Sequence, residues 1–156
     1  MSGRTINLTA RRAGNMSFVA RADSGHWTIT DVDVEVGGDG AAMTPFEHLF
    51  ASLATCTGTD VLYVMQKKRI PLDDLRIELR AKCRSEYPQI ATEIHLHYIF
   101  IGNNIPADAA ERAIELSQNK YCPVTGQLAP TAKVTHSYEI LTPDETRKRL
   151  KGQSGK

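Results

Sequence analysis

Thr44, Pro45 and Glu47 mark the start of a long helix more firmly than any other residues mark an element of this chain. Thr44 suits the N-cap, because its hydroxyl can accept a backbone N–H that the first turn leaves unpaired. Proline suits the first helical position, where its missing N–H costs nothing. Glu47 stands three residues after the cap and completes a capping-box pattern. Leu49, Leu53, Cys56 (or Thr57), Asp60 and Val64 then recur at helical spacing. Lys67, Lys68 and Arg69 place positive charge at the negative end of the helix dipole, and Pro71 ends the element. The pattern predicts a helix from Thr44 to about Lys68, and the rest of the fold has to pack around it.

Strand patterns flank it on both sides. Segments 5–10, 16–21 and 27–32 read as a short antiparallel meander, with Asp23, Ser24 and Gly25 as one of its turns. Residues 37–40, GGDG, read as a flexible loop. After the helix, Leu75, Ile77, Leu79, Ala81 and Cys83 alternate with Arg76, Glu78, Arg80, Lys82 and Arg84, the period of a strand with one wet face. Tyr87 and Pro88 mark a turn, and Ile94, Leu96, Tyr98 and Phe100 form the inner face of the next strand. A second helix is predicted from near Pro106 to about Asn119, with Cys122 and Pro123 just beyond it. A last strand spans Lys133–Leu141, with Val134, Tyr138 and Ile140 inward. Thr142 and Pro143 then open a basic tail that reads as a surface helix. Strands and helices do not alternate as a βαβ series, so the predicted class is α+β with mainly antiparallel pairing.

With 156 residues the chain suits one domain, 1–156, with its core at about 5–141 and the tail at 142–156. Its 41% hydrophobic and 24% charged residues are those of a globular chain. A net charge of +1 gives no electrostatic reason to expect nucleic acid or an anionic membrane as partner. The N-terminus carries arginines and no apolar stretch, so no signal peptide is expected. His48–Thr59 lacks charged side chains but is too short to span a bilayer. The expected location is the cytoplasm.

Three cysteines, at 56, 83 and 122, are odd in number and widely spaced, unlike a secreted disulfide framework. There is no C-x-x-C for a zinc ribbon or a thioredoxin motif. In a reducing compartment a working thiol is therefore a fair hypothesis. Cys56 lies mid-helix among Ala51, Ser52, Ala54, Thr55, Thr57, Gly58 and Thr59, small residues that admit a neighbouring element or leave room for a ligand. Taken alone it reads first as an inert core cysteine. It stands roughly 17 Å from the helix start, beyond the reach of the dipole, so a lowered thiol pKa needs a cation from elsewhere, most simply an arginine. Cys122 reads as a loop cysteine and Cys83 as core packing. Glu47 is explained by the capping box alone. His48, His95, His97 and His136 lack metal-ligand spacing, and the strand pair His95 and His97 reads as exposed; neither a metal nor a cofactor is expected.

Two segments carry a resemblance. Residues 44–60, TPFEHLFASLATCTGTD, resemble the central-helix signature of the OsmC/Ohr family, where a proline and a glutamate open a small-residue run that ends in a reactive cysteine. Residues 112–124, RAIELSQNKYCPV, are similar to that family's second-cysteine segment. Gly102 and the strand pair at 74–101 match in order, and the likeness covers about Thr5 to Leu141. It is closest to the broader OsmC-like branch.

The resemblance implies antiparallel sheets around the long helix and an intertwined homodimer. It implies a thiol-dependent peroxidase for organic hydroperoxides, with Cys56 as the attacking thiolate, Cys122 as its disulfide partner, and a thiol or dithiol as reductant. Catalytic roles for Glu47 and for an N-terminal arginine follow from it too; Arg11, Arg12 and Arg21 are the candidates, and Arg12 is the choice taken. In the Ohr enzymes the glutamate directly follows the proline. Here Phe46 holds that place and Glu47 comes one residue later, about 100° around the helix. The alternative is an OsmC-like small-ligand-binding or stress-response protein with little peroxidase activity.

Overall fold

A computed structural model describes residues 3–153. Its contacts divide the chain into two compact units, meeting between Ala51 and Ser52. The first unit holds β1 (Leu8–Arg12), β2 (Phe18–Ala22) and β3 (Trp27–Thr30), an antiparallel meander as predicted. Gly25, with φ at 82°, makes the β2–β3 turn that a side-chain-bearing residue would strain.

The segment 37–40 is more ordered than its composition suggests. Asp31, only 1% exposed, turns its carboxylate to the N–H groups of Val32, Asp39 and Ala41 at 2.9, 3.2 and 3.0 Å. The Ala41 and Val32 amides hold that carboxyl below its usual range. A Cβ on Gly38 would stand 1.9 Å from the Val32 carbonyl oxygen, so the loop closes this tightly only with glycine there.

Helix α1 (Pro45–Lys67) runs from the first unit into the second. The capping box forms as predicted: the Thr44 N–H donates to Glu47 Oε2 at 2.7 Å, and the Glu47 N–H donates to Thr44 Oγ1 at 3.2 Å. Arg69, with φ at 57°, closes the C-terminus, its N–H bonded to the Gln66 carbonyl. The buried positions are Leu53, Thr57, Gly58, Val61, Val64 and Met65. Thr57, not Cys56, is therefore the core member of that turn, and Leu49 is exposed. Gly58 explains the small residues: a Cβ there would meet Ile77 Cδ1 at 2.9 Å.

The second unit adds β4 (Asp74–Cys83), β5 (Ala91–Ile101), α2 (Ala107–Leu116), a π-turn over Ser117–Tyr121, α3 (Pro123–Leu128), β6 (Lys133–Leu141) and α4 (Pro143–Gln153). β5 is the middle strand of its sheet, and Ile94, Leu96, Tyr98 and Phe100 are fully buried. On α2, Ala109, Ala110, Ala113 and Ile114 are buried. On β4, Leu75, Ile77, Leu79 and Ala81 are half-buried while Arg76, Glu78, Arg80 and Lys82 are exposed, as the alternation requires. Cys83 departs from it. A register shift between Lys82 and Cys83 breaks the alternation and leaves the Cys83 thiol exposed rather than in the core.

The pairing is mainly antiparallel, as expected, with one exception. β4 and β5 are antiparallel, but β5 and β6 are parallel. A chain that leaves β5 through α2 and α3 returns to the starting end of the sheet, so the pair it forms is parallel. α3 was not predicted, and the second helix gives way to the π-turn after Leu116. The tail forms α4 with its own capping box, Thr142 N–H to Glu145 Oε2 at 2.7 Å. Arg149 grips Glu139 of β6 through two bonds of 2.6 and 2.9 Å. That grip, assisted by His97, pulls the Glu139 carboxyl down to about 2. Among the described residues no helix is long and apolar enough to cross a membrane.

Candidate active site

Two helix segments bring the thiols together. Cys56 projects from the middle of α1, half-buried, and Asp60 lies four residues on, so both sit on one face of the helix. Cys122 is 66 positions from Cys56 in the sequence. The π-turn delivers it: the Cys122 N–H bonds the Ser117 carbonyl five residues back, at 2.9 Å. The chain then turns at Pro123, and Cys122 becomes the N-cap of α3, only 5% exposed. The two Sγ atoms and an Asp60 carboxylate oxygen all lie within 4.8 Å of one another.

The start of α3 faces these sulfurs. The Thr125 N–H donates to Cys122 Sγ at 3.3 Å, and the Val124 amide lies where it favours the charged form of Cys56. Burial pushes the Cys56 thiol up to about 11, with the hydrogen bond to Cys122 and the negative charges of Cys122 and Asp60 adding to the rise. The Val124 amide works the other way. The charged neighbours acting on it here are both acids, so neither offsets the rise that burial imposes.

Behind Asp60 runs a chain of hydroxyls. Ser117 Oγ donates to Asp60 Oδ2 at 2.9 Å. Thr57 Oγ1 is 2.8 Å from Ser117 Oγ and 2.7 Å from the Tyr98 hydroxyl. A hydroxyl has one proton to give. Ser117 spends its proton on Asp60, so Thr57 donates to Ser117 and Tyr98 donates to Thr57. All three side chains are fully buried. Gln118 Nε2 donates to Tyr98 at 3.4 Å, and its Oε1 meets His136 Nδ1 at 3.2 Å. The Thr57→Val variant keeps the shape and removes the hydroxyl, leaving Tyr98 and Ser117 each short of a partner. It is expected to cost about 2–4 kcal/mol in urea unfolding; a loss below about 0.5 kcal/mol would mean that these groups re-pair without Thr57.

The other predicted residues do local work in the first unit. Glu47 caps α1. Arg12 Nε donates to the carbonyls of Gly14 and Asn15 at 2.8 and 3.0 Å, closing the turn between β1 and β2. Arg11 and Arg21 flank Trp27, their guanidinium carbons 5.6 and 5.7 Å from its ring centre. These three side chains help line a concave surface of about 690 Å³ that contains no cysteine.

The histidines are engaged as well. His48 Nε2 meets the Ile29 carbonyl at 2.9 Å. His95 and His97 are half-buried rather than exposed, laced to Thr135, Ser137 and Glu139 across the parallel pair. Among the described residues the compact group able to hold a metal ion is Cys56, Asp60 and Cys122, two sulfur donors and one oxygen. Asp60, Ser117 and the two α3 amides were missed as site residues. The only signal for Asp60 was its place four residues after Cys56.

The OsmC-like protein family model matches residues 37–137. Protein YhfA of Escherichia coli (strain K12) is 33% identical over 126 residues, covering 81% of this chain and 91% of YhfA. Among solved structures, a hypothetical protein from Aquifex aeolicus VF5 superposes with a TM-score of 0.78 at 26% identity, covering 90% of this chain and 98% of that one. An organic hydroperoxide resistance protein OsmC from Legionella pneumophila shares the fold with a TM-score of 0.64 at 17% identity, over 91% and 99% of the two chains. A thiol pair built from α1 and the α2–α3 connection, in a chain matched over most of its length, places it: this protein belongs to the OsmC-like family.

Proposed function

We propose that the chain is a thiol-dependent peroxidase that reduces organic hydroperoxides through Cys56 and Cys122. The observation that carries this reading is the approach of the two sulfurs to within 4.8 Å, one half-buried and one buried at a helix cap. Cys56 thiolate attacks the terminal oxygen of the hydroperoxide. The O–O bond breaks, an S–O bond forms, and the alkoxide leaves with a proton as alcohol, so sulfur loses the two electrons that the peroxide gains. Cys122 then displaces water from the sulfenic acid to give a disulfide. A thiol or dithiol reductant returns both thiols by exchange.

On this reading the protein works as a homodimer in the cytoplasm, without nucleic acid or membrane as partner. Support for a second copy comes from the first unit, where Ile6, Leu8, Phe18, Trp27 and Ile29 are all exposed. Arg12 enters as the cation that would stabilise the Cys56 thiolate during turnover, and Glu47 as a catalytic carboxylate.

The alternative, an OsmC-like ligand-binding or stress-response protein with little peroxidase activity, is favoured by one observation: the raised Cys56 thiol, which is unreactive while protonated. Turnover separates the two. Cumene hydroperoxide and a dithiol are mixed with the protein and peroxide loss is followed. Steady consumption by the wild type and none by Cys56→Ser is the expected result; equal rates in both proteins would remove the peroxidase reading.

A further inference from the structure

We infer that Asp60 is a catalytic residue of this site, the proton shuttle for closing the Cys56–Cys122 disulfide. The inference rests on the peroxidase reading above and assigns a role that neither cysteine can fill.

The need comes from the chemistry of the closing step. Only the thiolate of Cys122 attacks sulfur, so its proton must leave. The oxygen on Cys56 departs well only as water, so a proton must arrive. One group that reaches both sulfurs can do both jobs: it takes the proton from Cys122 S–H and gives it to the sulfenic oxygen. The S–O bond breaks, the S–S bond forms, water leaves, and the carboxylate is regenerated with no net gain or loss of protons or electrons. Asp60 is placed for this, with its carboxylate oxygen within 4.8 Å of both Sγ atoms.

The surroundings of Asp60 serve the same end. Cys56 and Asp60 share one helix face, which sets their separation through the backbone. On the far side, Ser117 Oγ holds Oδ2 at 2.9 Å. Thr57 and Tyr98 extend that contact through the fully buried hydroxyl chain. Burying three hydroxyls in an otherwise apolar core between α1, β5 and α2 is costly unless each is paired. Their pairing runs in one direction and ends on the carboxylate. Ser117, Thr57 and Tyr98 are thus positioning residues: they act through Asp60, whose rotamer they fix. Ser117 also accepts the Cys122 N–H through its backbone carbonyl, so one residue anchors both the shuttle and the thiol that it serves.

The test uses the reduced full-length chain in rapid-quench experiments with cumene hydroperoxide. Dimedone traps the sulfenic acid, and mass spectrometry counts trapped protein and disulfide at each time. In Asp60→Asn the two steps are expected to change in opposite directions. Sulfenic acid forms several-fold faster, because removing the carboxylate's negative charge lets Cys56 ionise more easily. Disulfide closure slows about a hundredfold, the typical worth of a positioned proton-transfer group. Asp60→Glu is expected to restore part of the closing rate. Damage to packing would slow both steps together, and that result, or closure in Asp60→Asn as fast as in the wild type, overturns the inference. A wild type that forms no sulfenic acid overturns the peroxidase reading itself, at the earlier step. Fast first-step kinetics in Asp60→Asn also establish that the variant is folded.

Discussion

The reaction of Cys56 with an electrophile is expected to accelerate about tenfold for each pH unit between pH 7 and pH 10, roughly a thousandfold in all. The sign follows from the cause of the shift. Burial penalises the charged form most, and the neighbouring thiol and carboxylate penalise it further, so the neutral thiol is favoured and its pKa stands at about 11. Below that value the thiolate is a small fraction that grows with pH, and only the thiolate reacts. Iodoacetamide labelling, with the Cys56 peptide read by mass spectrometry apart from exposed Cys83, gives the profile directly. A rate already level above pH 7 is the contrary result. It would mean that a cation ionises Cys56 in solution, and replacing Arg11, Arg12 and Arg21 in turn would then identify it. The same profile bears on activity: a peroxidase governed by this thiol works better in alkaline solution than at neutrality.

The Cys122→Ser variant is expected to convert multiple turnover into a single event. Wild-type protein treated with one equivalent of organic hydroperoxide should become lighter by two hydrogens, the mass of a disulfide. The variant should become heavier by one oxygen and react with dimedone, because nothing within reach can condense with the sulfenic acid. Further peroxide should carry it on to the sulfinic acid, from which a dithiol cannot recover it. Cys83 cannot substitute, since it is exposed at the bulged end of β4 and, among the described residues, lies outside the cluster that the other two form with Asp60. A variant that still forms an intramolecular disulfide, or that turns over as fast as the wild type, would remove Cys122 from the mechanism.

What could be read from the chain in advance was whatever depends on near neighbours. The α1 start follows from a hydroxyl and a carboxylate three residues apart. The β4 face follows from alternation over eight residues, and β6 was placed at its observed limits, Lys133–Leu141. The alternation failed at Cys83, where a bulge set by the partner strand shifts the register. The loop at 37–40 was placed, but its anchoring was not legible, because that comes from Asp31, a residue outside it.

The site divides along the same line. The sequence by itself determined that a cysteine would lie mid-helix and that a second would follow a later helix, and likeness to a family joined them. Only the tertiary structure decided that their sulfurs come within 4.8 Å of each other, that the π-turn and the α3 cap bring Cys122 to α1, and that Asp60 stands beside both at the end of a buried hydroxyl chain. The parallel seating of β6 was likewise decided by the return path of the chain. Capping and alternation are settled by forces acting within a few residues. The approach of Cys56 to Cys122 depends on how α1, β5 and α2 pack, and no local pattern encodes that.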